Sequence, residues 1–487
     1  MLNVLLLITK TSNENHTQGD TDMAVKTASG LLAALLLVML AATATAAENP
    51  ADWNKDWTGF RKVMVQETAG FDRVNEPVEA ELKYFQPMPE KSEEGLADTV
   101  TRVVRVITNE GDRWKEIPCQ VYDIRPFHWK RDSESPEIMV RARVAFFADV
   151  EAHSTSTYYF CYGNPKPPAP RYKSTLKAKG ENVAYTIENP WFSMVTDDES
   201  GQIDTISLKF ADKPNFSFRS GNMHWNPDFM YVPEDFPTTW FKWYYAHHFE
   251  DPPHDTISGP IFFEITRRQL VPNQDEAWME VKYRFYDHVP YFLMESTIVV
   301  QKACHTLAIR NDEIAFGTDD YTHAGWRNYT TDMIDGHIGE IGAVDLFNEA
   351  RVGNHVLGSA LPPNIPWISF THTKRGYAVG SIRLDWKNVN VLTGEPSTIY
   401  NSHTVISEHG GGLYWFRSLV YPQRDDYNTM NWDADDWRKC CIDIPEGDSY
   451  YEKNAYMFYE WDKDTKFEPV DEAWFRLDNP LLVTTSD

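Results

Sequence analysis

Three stretches of this 487-residue sequence gather imidazoles, phenols, indoles and guanidiniums closely enough to do chemistry. The first is Trp243-Tyr244-Tyr245-Ala246-His247-His248, where aromatic faces adjoin two imidazoles. The second, His323-Ala324-Gly325-Trp326-Arg327-Asn328-Tyr329, follows Asp319 and Asp320 and holds an imidazole, a guanidinium and an amide. The third joins Tyr400-Asn401-Ser402-His403 to Gly410-Gly411-Gly412-Leu413-Tyr414-Trp415-Phe416-Arg417. Imidazoles exchange protons near neutral pH. Guanidiniums and amides stabilise negative charge, and indole and phenol rings offer flat apolar faces with polar tips that suit sugar rings. Tyr245, His247, His248, His323, Arg327, His403 and Arg417 are therefore the candidate catalytic residues. Trp243, Tyr244, Trp326, Asn328, Tyr414 and Trp415 are the candidates for holding a substrate.

Each group also has a purely structural use. A histidine in a β-protein loop is served by solvent or one hydrogen bond, and Arg327 and Arg417 can bridge acidic loops in so negative a chain. The Gly410–Gly412 run suits a tight turn and lacks the Lys-Ser/Thr of a phosphate loop. HExxH, Gly-x-Ser-x-Gly and EF-hand patterns are missing, so zinc protease, α/β-hydrolase and EF-hand readings have no motif behind them. No motif requires a cofactor. Acidic pairs such as Asp319-Asp320 and Asp425-Asp426 could serve calcium binding or glycoside hydrolysis, but with 72 acidic residues such pairs arise by chance.

The elements that must position these residues are strands. Met139–Val150 alternates Arg141 and Arg143 with Val140, Ala142 and Val144, the two-residue period of a half-buried strand. Thr101–Thr108 and Thr157–Tyr162 add further short strands. Pro165-Lys166-Pro167-Pro168-Ala169-Pro170 cannot enter a sheet interior and reads as a stiff linker. Beyond it the strands lengthen, at Pro260–Val271, Ala277–Val289, Phe292–Lys302 and Leu307–Phe316. A hairpin is expected over Trp367–Trp386, turning at Lys374-Arg375-Gly376, with late strands at Leu413–Tyr421 and Ala455–Trp461. A short helix at Asp433–Lys439 is the one helical expectation, and Gly221–Gly259 reads as the longest loop, a frequent home of function. No internal period argues for a propeller or solenoid. The expected fold is all-β. A small β-barrel or sandwich over 48–164 leads through a linker at 165–172 to a large antiparallel β-sandwich with long loops at 173–487.

Residues 1–47 read as an upstream segment and signal peptide. Lys26 precedes the apolar run Gly30–Ala42, too short to span a bilayer, and Ala44-Thr45-Ala46 fits a small-x-small cleavage site, with Met23 as the natural start. The expected location is secreted, periplasmic or cell-surface, with no transmembrane segment in the mature protein. Formal net charge is −26, or −25 without residues 1–47 (Lys10 and Lys26 against Glu14, Asp20 and Asp22), which excludes nucleic acid as a natural partner. An acidic glycan would need a local basic cluster, effective over a screening length of about 8–10 Å. Cys119, Cys161, Cys304, Cys440 and Cys441 show no metal spacing and read as buried apolar groups with room for one disulfide.

Glu67-Thr68-Ala69-Gly70, Asn75-Glu76-Pro77-Val78, Val103–Ile107, Ile117-Pro118-Cys119-Gln120 and Tyr162-Gly163-Asn164-Pro165 resemble the small barrel that opens rhamnogalacturonan exolyase-like proteins. Ile187-Glu188-Asn189 with Gly201–Lys209 is similar to the opening of a galactose-mutarotase-like supersandwich. The family's helical toroid has no counterpart here, and no catalytic residue is carried over. The resemblance implies a polysaccharide or oligosaccharide partner and β-elimination at a uronic acid. That reaction neutralises the carboxylate, removes the C5 proton and protonates the leaving oxygen. A non-catalytic glycan-binding or cell-surface sandwich and a glycoside hydrolase are the alternatives.

Overall fold

The computed structural model describes residues 49–87, 95–111, 113–130, 137–212, 214–217, 227–270, 274–317, 320–327, 341–345, 351–352, 355–356, 365–400, 402–409, 412–421 and 440–486. The chain divides into two units, Met1–Thr58 and Gly59–Asp487. In the first, a 3₁₀ turn at Pro50–Asp52 is capped by Asn49, whose side chain accepts from the Ala51 N–H at 3.2 Å. The rings of Trp53 and Trp57 lie 5.0 Å apart.

The second unit is built almost wholly of antiparallel sheets, as the alternating pattern predicts. Its first sheet has the order Leu482–Thr485, Gly59–Gln66, Thr155–Tyr162, Arg105–Glu110, Arg113–Ile117. A second sheet pairs Arg73–Pro87 with Glu137–Val150 and that strand with Cys119–Lys130. Along Glu137–Val150, Val140, Ala142 and Val144 are buried while Arg141 and Arg143 face water. The two sheets enclose Val63, Leu82, Val106, Val140, Phe146 and Phe160.

Helix α1, Leu96–Val103, closes this core with Leu96 and Val100. It replaces the first residues of the strand expected over Thr101–Thr108. The β-branched content of that stretch suggested a strand, but Leu96, Val100 and Val103 recur at helical spacing and are all buried. The strand itself begins at Arg105.

The larger sandwich faces a nine-stranded sheet against two others. The nine strands run His254–Ser258, Phe262–Leu270, Ala277–Tyr286, Tyr291–Val300, Ser449–Glu460, Tyr377–Asn388, Trp367–His372, His323–Arg327, Ile341–Asp345. Opposite lies a six-stranded sheet with the order Lys242–Tyr245, Asp228–Val232, Cys304–Gly317, Gly412–Val420, His403–His409, in which Ile442–Ile444 also pairs with Cys304–Gly317. A five-stranded sheet runs from Lys177–Glu181 to Asn215–Ser217. The shared core holds Ile206, Phe229, Met279, Phe292, Trp415 and Phe458. The Trp367–Trp386 hairpin turns as expected, with Gly376 at φ +72°. The stretch read as one loop, Gly221–Gly259, instead carries three strands, because Trp243, Tyr244 and Tyr245 pair with Asp228–Val232. The helix expected at Asp433–Lys439 lies outside the described residues.

The second face of the nine-stranded sheet is also covered. Tyr122 of the small sandwich packs there with Phe262, Tyr291, Trp367 and Met457, beside helix α2, Glu468–Asp478. The Gln120 side-chain oxygen, Oε1, accepts from the Ile261 and Phe262 N–H groups at 3.1 and 2.9 Å, which fixes the small sandwich to the large sheet. Sequence reading missed α2, although a proline in its first turn, Glu468 and Asp471 at its start and Arg476 near its end are ordinary helix signals. Two glycines let it approach: a Cβ on Gly325 would lie 2.5 Å from the Phe467 ring and one on Gly380 2.7 Å from Val470. Buried Arg73 donates to the carbonyls of Arg476 and Asn479 at 3.1 and 2.7 Å, placing a cation at the helix C-terminus. No helix among the described residues is long and apolar enough to cross a membrane. The described residues include all five cysteines, and none is in a disulfide.

Candidate functional site

The six-stranded sheet holds the backbones of two of the three chemical stretches. Tyr245 lies opposite Asp228, Asp228 opposite Arg310, Arg310 opposite Ser418, and Ser418 opposite His403. Tyr245, Asp228 and Arg310, directly opposed, share a face, and a register shift at Arg310 locally re-aims its strand. Asp228 takes a two-pronged bond from Arg310, with Nε to Oδ1 at 2.9 Å and Nη2 to Oδ2, and Glu313 Oε1 stands 3.4 Å from Nη1.

The guanidinium of Arg310 lies between the rings of Trp243 and Phe416, at 4.4 and 4.6 Å. Trp243 stacks on Tyr245 at 5.8 Å, Tyr245 on His247 at 4.8 Å, and His247 meets His248 at 4.2 Å. Alternation on the edge strand puts Trp243 and Tyr245 on one face and Tyr244 on the other, where it is buried in the sandwich core. Trp240, 49% exposed, packs on Phe236 at 5.0 Å. Phe236 belongs to the same apolar cluster that Trp243 packs against. Trp240, Trp243, Tyr245, His247 and His248 thus form a ridge that ends in two imidazoles.

The electrostatics below the ridge come from two buried arginines. Arg267 gives its hydrogen bonds to neutral acceptors: the carbonyls of Ser200 (2.7 Å) and Ala246 (3.1 Å), the Tyr283 hydroxyl (2.9 Å) and the Gln202 side chain. It thereby pins the 3₁₀ turn Ala246–His248. Burial, with help from His248 and Arg267, pushes His247 down to about 3, and burial also lowers His248. At neutral pH both imidazoles are uncharged and able to bond a hydroxyl, and burial makes them weaker bases than a free imidazole. In the Arg310 cluster burial raises both carboxyls. One guanidinium cannot balance two carboxylates, so Glu313, pushed up to about 8, keeps its proton and shares it with Asp228.

The remaining candidates lie elsewhere. Arg417 and Trp415 point into the sandwich core. Arg417 donates to Glu452 at 3.1 Å and to the Ile365 carbonyl at 3.2 Å, with Asp312 at 3.9 Å. Tyr456 and Ser381 each donate to Asp312 at 2.7 Å, and burial pushes Asp312 up to about 6. This is an internal charge network rather than a surface pair. His323, Trp326 and Arg327 belong to the nine-stranded sheet. Arg327 grips Asp471 of α2 with two bonds, and Trp367 Nε1 donates to the same carboxylate at 2.8 Å. His323 Nδ1 stands 3.0 Å from the Thr322 hydroxyl, and Trp326 packs half-buried on the core.

The backbones of His403 and Tyr414 belong to the six-stranded sheet, their side chains are outside the described residues, and Asn328 is outside them entirely. Trp240, Asp228, Arg310 and Glu313 were not read from the sequence. An exposed tryptophan three residues before Trp243 was the available signal for the first. The others are single charges inside strands, with none to mark them. Among the described residues no group of three or more His, Cys, Asp or Glu side chains is arranged to hold a metal.

No protein-family profile and no curated protein matches the sequence. Among solved structures, the chain is similar to a glycosyl hydrolase family 38 protein from Enterococcus faecalis at 12% identity and a TM-score of 0.49, with 88% of this chain and 47% of that one covered. An α-mannosidase from Enterococcus faecalis V583 aligns at 10% identity and a TM-score of 0.49, over 88% of this chain and 46% of that one. A galactose mutarotase related enzyme from Lactobacillus acidophilus aligns at 11% identity and a TM-score of 0.30, over 57% of this chain and 97% of that one. The chain thus spans about half the length of the first two.

Proposed function

We propose that this protein is an exported carbohydrate-active protein that lays a glycan chain along the ridge of Trp240, Trp243 and Tyr245. The observation that carries this reading is the ridge itself, half-exposed rings on an edge strand ending in two uncharged imidazoles. The half-exposed Trp240 ring offers apolar surface for the C–H face of a sugar, while the edges and polar tips of the stacked Trp243 and Tyr245 are left for its hydroxyls. The reaction that fits is β-elimination at a uronic acid, as the motif likeness to rhamnogalacturonan exolyase-like proteins implies. In that reaction His247, uncharged over the physiological range but made a weak base by its burial, is the group placed to take the C5 proton, and the Tyr245 phenol stacked on it is the group placed to protonate the leaving oxygen.

Incubation with a panel of uronate-containing polysaccharides is expected to generate the ultraviolet absorbance of an unsaturated product, lost in His247→Gln. A panel that stays silent overturns the lyase reading. Reducing ends without that absorbance would identify a hydrolase instead.

One observation favours a second reading, a non-catalytic glycan-binding sandwich. The two guanidiniums beneath the ridge are already engaged, Arg310 by Asp228 and Arg267 by neutral acceptors, and neither is offered to a substrate carboxylate. Under that reading Trp243→Ala abolishes retention in a glycan-containing gel, His247→Gln leaves it unchanged, and no product forms.

A further inference from the structure

A cleft of about 390 Å³ lies well away from the ridge, where the small sandwich, the second face of the nine-stranded sheet and the end of α2 meet. Its walls include Glu76 from the small sandwich, Tyr286, Tyr291, Tyr451 and Lys453 from the large sheet, and Arg476 from α2. Its size suits a small organic ligand of the order of one or two sugar rings.

Three of these groups hold unused bonding capacity. Tyr291 is 7% exposed and lines the cleft, and no hydrogen bond to another described residue occupies its hydroxyl, which opens on the cleft's solvent. Glu76 has Arg73 as its nearest cation, at 3.6 Å, beyond hydrogen-bond reach, and its side chain is 15% exposed. Lys453, half-buried in the cleft wall, lies across the strands from Glu295, whose carboxyl its charge helps to lower, and from Asp385, and it makes no ion pair within 4 Å among the described residues, so its ammonium keeps donors for a ligand. Of the other charges, Glu79 is engaged by Arg284 and Tyr122 and Arg476 by Glu472 at 2.5 Å, while Asp385 accepts from the Trp386 N–H at 2.8 Å.

We infer that this cleft is a binding site for a short, hydroxyl-rich saccharide. The Glu76 carboxyl accepts from sugar hydroxyls, the Lys453 ammonium donates to them, and the Tyr291 hydroxyl does either. The rings of Tyr286, Tyr291 and Tyr451 supply apolar surface for a pyranose. A mixed donor and acceptor lining on aromatic walls fits a polyol. Glu79 and Asp385 at the same cleft oppose a phosphate or other multiply charged anion. The site rests on its own side chains and stands whether or not the ridge binds glycan.

The test is calorimetric titration of the full chain carrying Trp240→Ala and Trp243→Ala, so that the ridge is silent, with D-galactose, L-rhamnose, D-galacturonate and cellobiose as probes. At least one probe is expected to bind one-to-one. Tyr291→Phe should then weaken it about 3- to 10-fold, the loss of a single hydrogen bond. Leu384→Trp, which fills the cleft from a half-exposed wall position, should abolish the heat. Lys453→Met gives a second reading from a partly exposed side chain should the tryptophan variant fail to fold. The inference is overturned if no probe binds, or if these variants leave the dissociation constant within about twofold of the parent.

Discussion

Replacing Glu313 with glutamine tests the charge arrangement under the ridge most directly. Glu313 is buried beside Asp228 and Arg310, and its carboxyl is pushed from an ordinary 4.5 up to about 8. A group whose folded-state value is raised favours folding fully below its unfolded value, and that contribution is lost as pH climbs towards the folded one. The wild-type protein should therefore lose stability between about pH 4.5 and pH 8. The gap, at about 1.4 kcal/mol for each pH unit, sets an upper limit of roughly 4 to 5 kcal/mol. Glutamine keeps the shape and one donor but cannot ionise. Urea denaturation at pH 5 and pH 8.5 should find the two proteins drawing apart, with Glu313→Gln gaining on wild type by about 2–4 kcal/mol at the higher pH. Stability curves that stay parallel between the two pH values would refute the claim that a neutral Glu313 lets one arginine serve two carboxyls.

Other consequences are equally open to measurement. Arg327→Met leaves Asp471 without its cation and should cost about 3–5 kcal/mol, seen as a lowered melting temperature and early proteolysis near α2. Gln120→Ala deprives the Ile261 and Phe262 N–H groups of their acceptor at a cost of about 2–4 kcal/mol in denaturant titrations, unless water takes its place. At Glu67, burial acts to raise the carboxyl, but the N–H groups of His153, Gly70 and Ala69 together with Arg73 outweigh it and hold the group at about 2. Its contribution is present above about pH 4.5 and lost as pH falls towards 2, so Glu67→Gln should flatten the acid limb of the stability profile. Gly325→Val should lower the melting temperature because its Cβ would sit 2.5 Å from the Phe467 ring, while Gly394→Ala, whose Cβ meets open space at φ +76°, bears only a local backbone cost.

Much of the sheet architecture was legible because strands half-buried on one side write their period into the sequence. Ala277–Tyr286 alternates Trp278, Glu280 and Lys282 with Met279, Val281 and Tyr283, and the latter set is buried. What escaped the pattern was either short or masked by a competing tendency. Helix α1 has eight residues, several of them β-branched, and α2 follows a strand-rich stretch whose aromatics drew attention to sheets. The site was partly legible for a related reason. Trp243, Tyr245, His247 and His248 lie within six positions, so local geometry alone makes them neighbours. Arg327 and Arg417 carry the same chemistry in the sequence, but whether an arginine meets solvent or a buried Asp471 or Glu452 is decided by elements 144 and 35 positions away. Nothing in the local residues distinguishes those outcomes.

The pairing of Leu482–Thr485 with Val63–Gln66 ties together segments about four hundred positions apart, as the Ser486–Lys62 contact across 424 positions shows. During synthesis from the N-terminus, that rim of the first sheet waits without its neighbour until nearly all the residues described here have been made. An open rim is a template for wrong partners. The small sandwich therefore cannot be finished early and set aside. Trimming a handful of residues near position 482 would uncover the edge of Val63–Gln66, some four hundred positions earlier.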